Sequence, residues 1–125
     1  MMDIERLKEE QLAAAGKVVT TDGFGSARLV GGCDCAFSGS TVIAAVVVCD
    51  ENLNIVEKQV ASVENDFPYI PGLLYYREGR AIEEAFAKLS TKPDILLVDG
   101  NGILHPLRCG LASQLGVALG PAGLR

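Results

Sequence analysis

Ile95-Leu96-Leu97-Val98-Asp99-Gly100-Asn101-Gly102 is the stretch on which the fold turns. Four apolar residues in a row, without alternation, suit a short strand buried on both faces, as a parallel central strand is. Asp-Gly then marks its end. Before it, Ile82, Phe86 and Leu89 recur at helical spacing within about Leu73 to Leu89, and Lys92-Pro93 stops that helix. After it, Pro106 opens a second expected helix, Leu107 to Leu119. A strand set between two helices is the start of an α/β crossover.

Upstream, the periodicity changes. Leu29 to Phe37 reads as a strand weakened by Gly31-Gly32, and Ser38-Gly39-Ser40 turns the chain into the β-branched run Thr41 to Cys49. Asp50 to Asn54 is a second turn and Ile55 to Val63 a third strand, so the three form an antiparallel meander. Residues 1–16 carry Ile4, Leu7, Gln11 and Leu12 at helical spacing and close on Gly16. Thr20 to Ser26 is a loop by composition. The expected class is α/β with a mixed sheet, in one domain over 1–125 without repeat or linker. Gly120 to Arg125 leads into no further strand, although α/β domains alternate onward. Either the fold closes early, or the chain is a shortened version of something longer in which the C-terminal part of the fold is missing.

Composition narrows the function. At 125 residues and 49% hydrophobic, the chain can bury a core without a disulfide or metal staple. The longest apolar run, Val42 to Cys49, is too short to span a bilayer, and no secretory pattern opens the chain. A cytoplasmic protein with no membrane contact is expected. The net charge of −5 argues against a surface coated with phosphate-binding Lys and Arg, and it suits an enzyme that holds divalent cations between carboxylates. Cys33, Cys35, Cys49 and Cys109 form no Cys-x-x-Cys pair, and all four read as reduced, mostly buried thiols.

Three acids stand out. Asp34 lies on a strand that otherwise reads as core, where a carboxylate must be paired, hydrogen-bonded or bound to a cation. Asp99 ends the apolar strand, where α/β sheets place their ligands, although Asp-Gly is equally ordinary turn chemistry. Glu78 stands four residues before Ile82, on the apolar side of its helix; an acid near a helix N-terminus is also favoured by the dipole alone. Converging at one sheet edge, the three would offer hard oxygens to Mg²⁺ or Mn²⁺ and support metal-assisted phosphodiester hydrolysis. His105, the single histidine, would stand at the mouth of the last helix and orient water or contact phosphate, unless it is incidental. Pro68 and Pro71 bracket Tyr69-Ile70 in a stiff apolar loop. Such a loop caps a core, or serves as a wedge where a base is unstacked.

Leu29 to Phe37, then Phe67-Pro68-Tyr69-Ile70-Pro71-Gly72-Leu73-Leu74-Tyr75-Tyr76-Arg77-Glu78-Gly79, then Asp99-Gly100-Asn101-Gly102-Ile103-Leu104-His105-Pro106 closely resemble endonuclease V, in the family's order and spacing over most of residues 5 to 119. The resemblance implies an RNase H-like fold and a Mg²⁺-dependent endonuclease of DNA or RNA repair, cutting the second phosphodiester bond 3′ to inosine. It implies Asp34 and Asp99 as metal ligands, Glu78 as the third catalytic acid and His105 beside the cut phosphate. Tyr69, with Ile70 and Pro71, would fill the gap left by the flipped base, while Gly72 and Gly100 bring backbone close to the purine. The sequence departs from the family at Leu107, where an arginine is common, at Gln114, where a histidine is usual, and after Leu119.

Two rivals remain. The first is a truncated, inactive fragment that binds nucleic acid or self-associates through an exposed C-terminal helix. The second is another RNase H-like metal enzyme with a different substrate.

Overall fold

The structure, a computed structural model, describes residues 3–20, 25 and 27–123. Most of the expected loop from Thr20 to Ser26 lies outside the described residues. The elements run α1 (Ile4–Ala15), β1 (Val30–Ser38), β2 (Thr41–Cys49), β3 (Ile55–Glu64), α2 (Leu74–Ala87), β4 (Ile95–Val98) and α3 (Leu111–Gly123). The Asp3 carboxylate caps α1 by accepting from the Arg6 amide at 3.1 Å. Three strands form the expected meander, with β2 antiparallel to β1 and to β3. Its first turn closes through Gly39, whose φ of 60° suits a tight hairpin.

The sheet order is β3-β2-β1-β4, with β4 parallel to β1, so the sheet is mixed as expected. β4 is not central, however. Among the described residues it is an edge strand, and Leu97, expected in the core, is 62% exposed. An unbroken apolar run signals two apolar faces; it does not say that both are covered.

One face is covered. Val42, Ala44, Val46 and Val48 of β2 meet Ile82, Ala85 and Phe86 of α2 and Leu115 of α3, all buried. α2 packs on β1, β2 and β3, and α3 packs on α2 and on α1. The other face carries Ile43, Ala45 and Val47, which are half-buried, and Val60, which is 53% exposed. Among the described residues no helix packs on it.

The last helix differs from expectation in two ways. It begins at Leu111 rather than Leu107, because Arg108 takes a left-handed φ of 60° and Gly110 donates back to the Gly102 carbonyl at 2.8 Å. A side chain on Gly110 would run into the Asn101 backbone carbonyl, which explains the glycine there. Nor is α3 exposed: Leu111 and Leu115 are buried against the core, and the uncovered apolar surface is on the sheet. In α1, Leu7 and Gln11 face inward while Leu12, counted on the same stripe, is exposed. The cysteines are free thiols as expected, but only Cys109 is fully buried.

Candidate active site

Strand register brings the first two acids together. The β1–β4 ladder ends on the pair Cys33 and Val98. Asp34 and Asp99 are the next residues along two parallel strands, so they stand side by side at the open end of the ladder. The chain bends there, with the Gly100 amide on the Val98 carbonyl at 2.9 Å. Both aspartates are exposed. Asp34 alternates away from Cys33 and Cys35, which pack toward the core cluster. Its Oδ1 accepts from the Cys35 amide at 2.9 Å.

Glu78 reaches this end from α2. It is half-buried, on the face of α2 that meets the sheet near Cys35. Burial raises its pKa above the ordinary range; the neighbouring Cys35 thiol opposes this, Asp34 adds to it, Arg77 opposes it, and Asp99 adds to it. Burial also pushes the Cys33 thiol up to about 11, with Asp34 and then Glu78 adding to it. Burial and then Glu78 push Cys35 up to about 12. The three acids therefore lie within electrostatic reach of one another.

The described ion pairs, Arg6–Glu10 and Arg80–Glu84, do not involve these acids. Repelling carboxylates with no salt bridge among the described residues are the donor chemistry of a hard divalent cation. Among the described residues no three side chains converge closely enough to hold an ion as they stand. The donor type suits a hard metal ion, and the side chains would have to turn to close on one.

The proline-bracketed loop is tied down on both sides. The Asn65 side-chain amide donates to the carbonyls of Tyr76 at 2.9 Å and Arg77 at 3.2 Å, and its Oδ1 accepts from the Phe67 amide at 3.0 Å. Arg77 donates to the Phe67 carbonyl at 3.1 Å while its guanidinium lies 4.1 Å from the centre of the Phe37 ring. Beyond these anchors Tyr69 is 66% exposed, Pro71 is exposed and Ile70 is half-buried. Gly72 has φ +87°, a conformation that favours glycine, and its carbonyl accepts from Gln11 and lies against His105 Nε2, each at 2.7 Å.

His105 is half-buried in a turn and not at the mouth of a helix. Its Nδ1 accepts from the amides of Leu107 at 3.0 Å and Cys109 at 3.4 Å. Gly100 lies against Leu111, whose Cβ and Cδ2 would each be 3.0 Å from an added side-chain carbon.

Sequence reasoning missed Cys35, Asn65 and Arg77. Asn65 had a signal, an Asx residue two positions before an aromatic-proline pair, where it folds the chain back on itself. Arg77 and Cys35 had none, since their partners lie on other elements.

The sequence model of the Endonuclease V family matches residues 12–123. A curated relative named Endonuclease V, from Roseiflexus sp. (strain RS-1), is 45% identical over 102 residues, which is 81% of this chain and 46% of the relative. The crystal structure of the Endonuclease V from Streptomyces avermitilis superposes with a TM-score of 0.89 at 35% identity, covering 99% of this chain and 55% of that one. The catalytic domain of human Endonuclease V gives 0.82 at 31% identity, covering 92% and 54%. The chain thus spans about half the length of the relatives it matches. Over that span it has the RNase H-like arrangement of these structures, a mixed sheet with its helices. With the family model matched over nearly the whole chain and the fold shared with solved members, the chain belongs to the endonuclease V family.

Proposed function

We propose that this chain carries the acidic centre of a Mg²⁺-dependent endonuclease that acts on DNA or RNA containing deaminated bases and hydrolyses the second phosphodiester bond 3′ to inosine. One observation carries the reading: the β1–β4 register sets Asp34 beside Asp99, with Glu78 brought to the same end by α2. Asp34 and Asp99 would hold the ion, and Glu78 would serve as the third acid. Mg²⁺, or Mn²⁺ in its place, would acidify water and offset charge on the phosphate oxygens. Tyr69, exposed between two prolines, offers a flat ring to a vacated base position, with Ile70 and Pro71 at its side. Gly72 and Gly100 would bring backbone close to the purine, and His105, 2.7 Å from the Gly72 carbonyl, would lie beside the cut phosphate.

The test is a nicking assay on an inosine-containing oligonucleotide, with Mg²⁺ and with EDTA, on the chain and on its Asp34→Ala and Asp99→Ala variants. A cut one nucleotide beyond the 3′-adjacent bond is expected, falling roughly 100-fold or more with EDTA and in each variant. Full metal-dependent nicking by Asp34→Ala sinks the assignment.

A second reading is a non-catalytic chain that binds nucleic acid or self-associates. The uncovered sheet face, with Val60 and Leu97 exposed, favours it. A monodisperse monomer in light scattering that binds no inosine-containing strand would exclude it. Apart from these tests, the family's nuclease chemistry also admits a substrate without inosine, and substituting Tyr69 discriminates: it should weaken action on inosine far more than metal binding.

A further inference from the structure

We infer that Gln11, far from the acids in sequence and on a different element, is a positioning residue for the Phe67–Gly72 loop, acting with His105 through the Gly72 carbonyl. The inference rests on the reading of that loop as the wedge.

A carbonyl oxygen has two lone pairs, and here both have partners at 2.7 Å, the Gln11 side-chain amide and His105 Nε2. The tautomer follows from the other ring nitrogen. Nδ1 accepts from the Leu107 and Cys109 amides, so the proton is on Nε2 and is donated to Gly72. Both nitrogens are engaged within the protein. His105 therefore fixes backbone, and it ties the loop to the segment that begins at Asp99.

Gln11 is 1% exposed, on the inward stripe of α1. Its amide also points to Gln114 Oε1 at 3.4 Å; Gln114 donates to the Tyr76 hydroxyl at 3.1 Å, and that hydroxyl donates to the Leu7 carbonyl at 3.1 Å. The chain of bonds runs from α1 through α3 to α2 and back to α1. Among the described residues no buried side-chain polar atom is left without a partner. A fully satisfied buried network selects one arrangement, because any displacement strands a polar group. It reaches the surface at two places: the exposed Glu10 carboxylate, 3.2 Å from the Tyr76 hydroxyl, and the carbonyl of Gly72, at the base of the exposed Tyr69 tip. Packing alone would be served by a leucine or methionine at position 11.

Gln11→Met removes both donors and keeps the side-chain length. The Leu73 amide, bonded to the Ile70 carbonyl at 2.9 Å, reports the loop by hydrogen exchange. Its exchange should rise about tenfold in the variant while the α2 amides of Ile82 and Phe86 hold. The preference for an inosine duplex over an adenine duplex should fall by about the same factor, with affinity for undamaged duplex unchanged.

Unchanged exchange at Leu73, or a rise shared by α2, overturns the inference. Raised exchange with the inosine preference intact overturns its link to recognition. Raised exchange in a protein whose parent form shows no inosine preference keeps the positioning role and removes the wedge reading. Should Gln11→Met fail to fold, ¹⁵N spectra of His105 in the parent chain decide: a neutral ring protonated on Nε2 supports the inference, and a ring protonated on Nδ1 defeats it.

Discussion

Val46 and Val47 are neighbours in β2 with the same side chain and different surroundings. Val46 is 0% exposed, under α2, whereas Val47 lies half-buried on the face that no helix covers. The same contrast runs through β1, where Gly31 faces the covered side and Gly32 the open one. Equal chemistry on both faces means that residue type does not decide which face becomes core. The amphipathic helices decide it: α2 carries a single apolar stripe and can cover one side only.

The largest test of that contrast pairs Phe86→Ala with Leu97→Ala. Phe86 is buried against the sheet, and truncating it should cost about 3–5 kcal/mol; Leu97, on the open side, should cost less than about 0.5 kcal/mol. Urea midpoints at neutral pH read both, and similar losses would mean that the open face is covered in solution.

A subtler pair is Gly31→Ala and Gly32→Ala. An added carbon at Gly31 would meet Pro93 Cγ at 3.0 Å and Leu96 Cδ1 at 3.1 Å, while at Gly32 nothing lies within 4 Å. The first should lose about 1–3 kcal/mol, and the second should gain up to about 1 kcal/mol from a stiffer unfolded chain. Thermal unfolding compares them directly.

The smallest effect concerns Glu57, opposite the buried Val48 in the ladder. Its carboxylate accepts from the Gln59 side chain and from the Ser90 and Thr91 amides, and these bonds lower its pKa in that order. A lowered folded value means the stabilisation is present above the unfolded value near 4.5 and is lost as pH falls through the folded one. Glu57→Gln should therefore be less stable than the parent at pH 7, and the gap should close at acid pH. A gap that does not vary with pH would show that the carboxylate charge contributes nothing.

Much of this was legible beforehand. β2 and β4 fall where their apolar runs place them, and Ile82, Phe86 and Leu89 are buried as the helical stripe required. The three acids were found because each interrupts or ends an apolar pattern. What was not legible came from pairing and backbone handedness. The position of β4 at the sheet edge depends on what lies beyond it, and the late start of α3 depends on a left-handed Arg108. Gln11 was visible as the polar member of the α1 stripe, but its partner is a backbone carbonyl 61 residues away, which no local pattern encodes.

The β1–β4 ladder has a consequence for the order of assembly. The meander closes through short turns, so its contacts are local and form at little cost in chain entropy. The ladder must join Cys33 to Val98 across the whole of β2, β3 and α2 before Asp34 has Asp99 as a neighbour. A nascent chain halted before residue 95 could hold every strand pairing of the meander, with Asp34 and Glu78 present and Asp99 still to come. The acidic centre is thus a late product of folding, and any event that frees β4 alone dismantles it while most of the sheet stays intact.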